Sequence, residues 1–152
     1  MEARDRAARY LSQRSCSVEH MRRYLTGKGY EEKEIEETIK DLVEYGWLDD
    51  RKYAEQFMTM SLEKRRGMDR IRRELRQKGV SDEVIREAEG SLEDIPGEEQ
   101  VASEVITDLA AIAREKDLTR EEREKLRAKA ARRLAGRGFS SSTVYRVVRK
   151  LI

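Results

Sequence analysis

The side chains best equipped for chemistry in this chain are arginines and lysines, and they are gathered rather than scattered. Residues 62–80 hold Lys64, Arg65, Arg66, Arg70, Arg72, Arg73, Arg76 and Lys78 against Glu63, Asp69 and Glu74. Residues 123–150 hold ten Lys and Arg against Glu124 alone. Such blocks suit phosphates or an acidic protein groove if they share one side of the fold. The competing reading is a solvated helix face, with pairs such as Arg70 and Glu74 four residues apart. Eight bases against three acids leave most of the first block unmatched.

Other chemistries lack their residues. His20 is the only histidine and Cys16 the only cysteine, so no intrachain disulfide and no Cys/His zinc set can form. No metal or cofactor is expected. Cys16, beside a helix start, is expected to have a somewhat lowered thiol pKa, yet it lacks a base partner. "TGKGY" has neither the flanking strand nor the glycine spacing of a nucleotide loop. Paired carboxylates abound, but with 42% charged residues chance supplies them. No enzyme is expected. The N-terminus has no apolar signal-like stretch, and no apolar run approaches the roughly 20 residues that span a bilayer. A soluble, reducing compartment, the cytoplasm, is the expected location.

The bases must be held by helices. Apolar residues recur three and four apart, as in Ile35, Ile39 and Leu42, in Ile71 and Leu75, and in Val144 and Val148. Each set draws one apolar stripe on a charged cylinder. Strand-like alternation is absent and Pro96 is the only proline. Ser17, Ser81, Thr119 and Ser140 are placed to accept from the first free N–H groups of helices, and Thr119 with Glu122 has the form of a capping box. Gly29, Gly79 and Gly138 suit the left-handed residue just past a helix end.

One phrase recurs. "MRRYLTGKGY" (21–30) returns as "IRRELRQKGV" (71–80) and, worn, as "ARRLAGRGF" (131–139). Leu25 aligns without gaps with Leu75 and Leu134, and Lys28-Gly29-Tyr30 with Lys78-Gly79-Val80 and Arg137-Gly138-Phe139. Each copy is a helix–turn–helix joint, and a further helix precedes each, at roughly 2–14, 49–64 and 97–115. The chain is therefore expected to be all-α, an elongated tandem array of three three-helix repeats. Their bounds are 1–46, 47–92 and 97–152, with a weak linker, "EGSLEDIPGEE", before the third. The helices after the first two turns are acidic, which argues against insertion into a DNA major groove. Only the third, "SSSTVYRVVRK", has a suitable sign.

Almost the whole chain resembles the RecX regulators of bacterial recombination, most strongly over residues 7–85. Leu11, Arg14 and Ser17 match that family's entry, and Leu25, Lys28, Gly29 and Tyr30 its Leu-x-x-Lys-Gly-Tyr. Gly46, Trp47, Leu48, Asp49 and Asp50, followed by Tyr53 and Ala54, match its Gly-aromatic-Leu-Asp-Asp signature. "KRRGMDRIRRELRQKGVSDEVI" resembles the segment that follows, with Met68 where the family often has proline. The third repeat is divergent apart from "RRLAGRGF". Within the signature, Trp47 and Leu48 are expected to plug the junction between the first two repeats. Asp49 or Asp50 is expected to cap the next helix.

The resemblance implies a cytoplasmic, monomeric modulator of RecA, the recombinase that polymerises on single-stranded DNA. It would lie in the filament groove and inhibit ATP hydrolysis, strand exchange and the co-protease activity that triggers the SOS response. Direct contact with DNA stays open. The expected central contacts are Arg65, Arg66, Arg70, Arg72, Arg73 and Lys78, flanked by Arg22, Arg23, Arg132, Arg133 and Arg137. The rivals are a stand-alone helix-turn-helix-like DNA-binding regulator and a helical-repeat adaptor indifferent to nucleic acid.

Overall fold

The computed structural model describes residues 1–92 and 97–152, and among them every regular element is a helix. In the register of the recurring phrase, α1 (Ala3–Gln13), α2 (Val18–Gly27) and α3 (Glu32–Glu44) form the first repeat. The second has α4 (Asp50–Glu63), α5 (Met68–Gln77) and α6 (Asp82–Gly90). The third has α7 (Glu98–Val105), α8 (Thr107–Glu115), α9 (Arg120–Gly136) and α10 (Ser141–Leu151). The fold is an all-helical repeat array. The linker expected at 89–99 includes residues 93–96, Pro96 among them, which lie outside the described residues.

The helix starts follow local chemistry. The hydroxyls of Ser17, Ser81, Thr119 and Ser140 accept from the backbone N–H three residues on, at His20, Val84, Glu122 and Thr143. Each satisfies a donor that the helix cannot, worth about 1 kcal/mol. The aspartates of the signature divide the work between two helices. Asp49 Oδ1 accepts from Lys52 N at the start of α4 (3.2 Å), whereas Asp50 Oδ1 accepts from Val18 N at the start of α2 (2.8 Å).

Two expectations are corrected. The single helix read over 97–115 is two, α7 and α8, interrupted at Ile106 (φ −109°, ψ 20°). Ser103 Oγ donates to Glu99 O, and Thr107 Oγ1 to Ser103 O and Glu104 O. Hydroxyls bonding back onto a helix's own carbonyls bend it, while Ile106 is fully buried and anchors the bend. Nor does Trp47 plug a junction: it is 58% exposed, and its neighbour Leu48 is buried in the first repeat's own core. After the turn at Gly46, both Trp47 N and Leu48 N donate to Leu42 O. The chain therefore turns inward one residue later than at the other turns.

The described chain divides into two compact units, residues 1–56 with 74–92, and residues 57–73 with 97–152. In the first, α1, α2 and α3 enclose Ala3, Ala7, Met21, Leu25, Ile35, Ile39, Leu42 and Leu48. Burying a side chain such as Met21 or Leu25 contributes about 1.5–3 kcal/mol. The second unit buries Ile71, Val101, Ile106, Leu109, Leu134, Phe139 and Val147, along with Ala102, Ala110 and Ala130.

Each unit contains one docking of a turn onto the preceding repeat. In the first, Ser17 Oγ donates to Lys78 O (2.6 Å), and a Cβ added at Gly79 would lie 2.3 Å from Glu19 Cβ. In the second, Gly67 N donates to Arg137 O (2.9 Å) and Arg70 N to Gly138 O (3.3 Å). There a Cβ at Gly138 would lie 2.2 Å from Arg70 Cβ. Gly67 is the register equivalent of Ser17, and Gly138 of Gly79. The lysine– or arginine–glycine turn of one repeat thus seats on the start of the second helix of the repeat before it, twice over.

Candidate interaction surface

The expected contact residues fall into three groups by what holds them. Arg22 and Arg133 are bound within their own repeats. Arg22 Nε donates to Glu36 Oε1 (2.6 Å), tying α2 to α3, and its Nη1 also reaches Glu19. Arg133 grips Asp108 with both terminal nitrogens (2.7 and 3.2 Å) and donates to Val105 O. The hydrogen bond from Arg22 holds the Glu36 carboxyl below the usual carboxylate range, and that from Arg133 does the same to Asp108. Both guanidinium groups therefore act first as fasteners between helices.

A second group gathers at the docked turns. In the first unit, Arg23 lies 3.5 Å from Glu19 and donates to Gln77 O (3.4 Å), which brings it beside Lys78. In the second, the bonds from Gly67 and Arg70 to the turn at 137–138 set Arg66, Arg70 and Arg137 around one corner. Arg65 stands at the same corner and is unusual. Its φ is 58°, the one non-glycine residue with positive φ among those described. Arg65 N donates to Leu62 O and Arg66 N to Ser61 O, the pattern that closes the glycine turns. A left-handed conformation costs an L-residue about 1–2 kcal/mol, and here the side chain so displayed is largely exposed, 3.6 Å from Glu104.

The remaining residues are displayed on helices. Arg72 lies 3.2 Å from Asp69, one turn earlier on α5, and Arg73 and Arg132 are exposed. Sequence reasoning missed Arg65's backbone, because nothing in "EKRRG" distinguishes a left-handed arginine from a helical one. It also missed Glu98, whose Oε1 accepts from Met68 N (3.4 Å) and Ser140 N (3.2 Å) and so joins the starts of α5 and α10. Cys16 reverses its expectation. It is buried, and burial, with Asp50 nearby, pushes its thiol up to about 11. Among the described residues no helix is long and apolar enough to cross a membrane.

Tandem helical repeats, joined by seated glycine turns and showing bases beside those turns, define a helical-repeat protein. Two family models match it: residues 3–42 match the first three-helix domain of RecX and residues 49–88 the second. A regulatory protein RecX of Chromohalobacter salexigens is 36% identical over 143 residues, covering 93% of this chain and 87% of that one. Another, of Vibrio vulnificus, is 39% identical over 88 residues, 58% of each. For such relatives, the match spans little more than half their length. A crystal structure of RecX from Lactobacillus salivarius superposes with a TM-score of 0.79, at 23% identity, over 98% of this chain and 94% of that one. The chain belongs to the RecX family of regulatory proteins.

Proposed function

We propose that this protein binds the RecA recombinase on single-stranded DNA, lies in the groove of its filament and restrains ATP hydrolysis, strand exchange and co-protease activity. By doing so it tunes recombinational repair and the SOS response, acting as a cytoplasmic monomer. Family membership supports the partner. The observation that supports the contact is the docked turn, where Gly67 N and Arg70 N donate to Arg137 O and Gly138 O, with Arg66 next to it in the chain and Arg65, in left-handed backbone, largely exposed beside Glu104. Strained backbone is held by the surrounding structure and clusters at functional sites. Arg72 and Arg73, one turn further along α5, extend the same basic segment.

The decisive measurement is RecA-catalysed ATP hydrolysis on single-stranded DNA, titrated with this protein well below one copy per recombinase. Inhibition at that ratio is the expected result. Reversing Arg72 and Arg73 to Glu should weaken inhibition at least about tenfold, a loss of about 1.4 kcal/mol in binding, with an unchanged circular dichroism spectrum. Full inhibition by the double variant removes those residues from the contact. Tight binding to duplex DNA with no recombinase present would replace this reading with a stand-alone DNA-binding regulator.

A further inference from the structure

The recurring register exposes a difference that the three repeats do not share. In the first repeat Arg22 of α2 bridges to Glu36 of α3 (2.6 Å), and in the second Arg76 of α5 bridges to Asp82 of α6 (2.6 Å). Each ion pair crosses the groove between the two helices of a helix–turn–helix joint. In the third repeat the equivalents of Arg22 and Glu36 are Ala131 and Tyr145, and those of Arg76 and Asp82 are Ala135 and Ser141. Both bridging pairs are gone. Between α9 and α10 there is instead an open groove of about 470 Å³. Its floor is Phe139 and Val148, both buried, with Ala131, Ala135 and half-buried Val144 along the sides.

The one charged residue that lines this groove is basic; Glu98 and Glu99 meet α10 at Ser140, Thr143 and Arg146, none of which lines it. Arg132 lines it, exposed and without a carboxylate partner among the described residues, and residues 125–152 contain no Asp or Glu. Tyr145, 60% exposed, closes the rim, and the Arg149 guanidinium lies over its ring, 5.3 Å from the centroid. We propose that this groove docks one face of an acidic amphipathic helix of a partner protein. The apolar floor takes aliphatic side chains spaced one turn apart, as in other helix-in-groove contacts. The rim, through Arg132 and Arg149, takes the carboxylates beside them. An apolar floor offers nothing to phosphates, and one face of Tyr145 is already covered by Arg149, so a stacked nucleic-acid strand fits less well. The inference stands apart from the filament reading, because it concerns the isolated chain.

The test uses the full chain and a short fluorescein-labelled helical peptide carrying leucines at i, i+4 and i+7 with glutamates on either side. A second peptide has lysines in place of the glutamates. Fluorescence anisotropy should show the glutamate peptide binding at least about tenfold more tightly than the lysine peptide, and more weakly as salt rises. The double substitution Ala131→Arg with Tyr145→Glu rebuilds the first repeat's ion pair across the groove. It should weaken the glutamate peptide about tenfold, and so should Arg132→Glu at an exposed position. Should the double variant fail to fold, Arg132→Glu and the two-peptide comparison decide the matter. Equal affinity for both peptides, no binding, or a loss in only one of two folded variants overturns the proposal. Displacement of the glutamate peptide by a single-stranded oligonucleotide overturns it as well. RecA inhibition is measured separately, so either reading can fail without the other.

Discussion

Among single residues, glycines that look alike in the recurring phrase have different duties. Gly29, Gly79 and Gly138 all have φ between 84° and 89°, but a Cβ at Gly29 would meet nothing within 4 Å, whereas at Gly79 and Gly138 it would strike Glu19 and Arg70. Gly29→Ala should therefore cost only the left-handed strain, about 1–2 kcal/mol. Gly79→Ala and Gly138→Ala add the displacement of a packed helix, a further 1–3 kcal/mol or so. Urea unfolding midpoints measure this, and equal losses at all three positions would show that the turns are not seated as described. Arg65 gives the converse case. Arg65→Gly relieves its strained backbone at the expense of a looser unfolded chain, for a net gain of about 0.5–1 kcal/mol. The same variant should inhibit RecA less. Higher stability with undiminished inhibition would detach Arg65 from the contact, and lower stability would mean that no strain was stored there.

At the level of helices, the sequence was most legible where a signal is local. Ser17, Ser81, Thr119 and Ser140 start helices as expected because a cap needs only its own hydroxyl and the next few N–H groups. The break at Ile106 and the exchange of Trp47 for Leu48 were not legible, since each depends on which side chain the core accepts. Partner choice was the least visible. Nothing local ties Arg22 to Glu36, or Arg133 to Asp108, across 14 and 25 residues. Those interhelical pairs contribute to the response to acid. Glu36, Asp82 and Asp108 are held below the usual carboxylate range by Arg22, Arg76 and Arg133. The folded chain thus binds fewer protons at these sites than the unfolded one. Their stabilisation is present above the ordinary carboxyl value of about 4 and is lost as pH falls through the lower folded values. Asp50 works the other way, since burial raises its carboxyl and favours the protonated folded form. Melting temperatures recorded from neutral pH down to about 3 should fall, and Asp108→Asn should lessen that fall. An unchanged acid profile in the variant would show that the α8–α9 pair contributes nothing in solution.

For the molecule entire, the sum of charges hides their order: a net charge of +2 averages a basic 62–80 and 123–150 against acidic stretches such as 31–50. Sorting of this kind produces local potentials that steer a charged partner. Several modest contacts carried on one chain then gain strength through effective concentration rather than through any deep pocket. On the proposed function, the salt dependence of binding separates two ways of holding a nucleoprotein filament. If its arginines reach the phosphates of the single strand, each contact releases counterions, and log affinity should fall by about 0.7 per phosphate for each unit of log salt. If they meet only carboxylates on the recombinase, screening weakens binding without that counterion slope. Affinity for RecA filaments on single-stranded DNA, measured across a series of salt concentrations, distinguishes these cases. Reversing Arg72 and Arg73 should lower the slope by up to about 1.4 if both touch phosphate. A shallow wild-type slope that the double variant leaves unchanged, with affinity reduced, would assign the basic segment to protein and leave the DNA untouched.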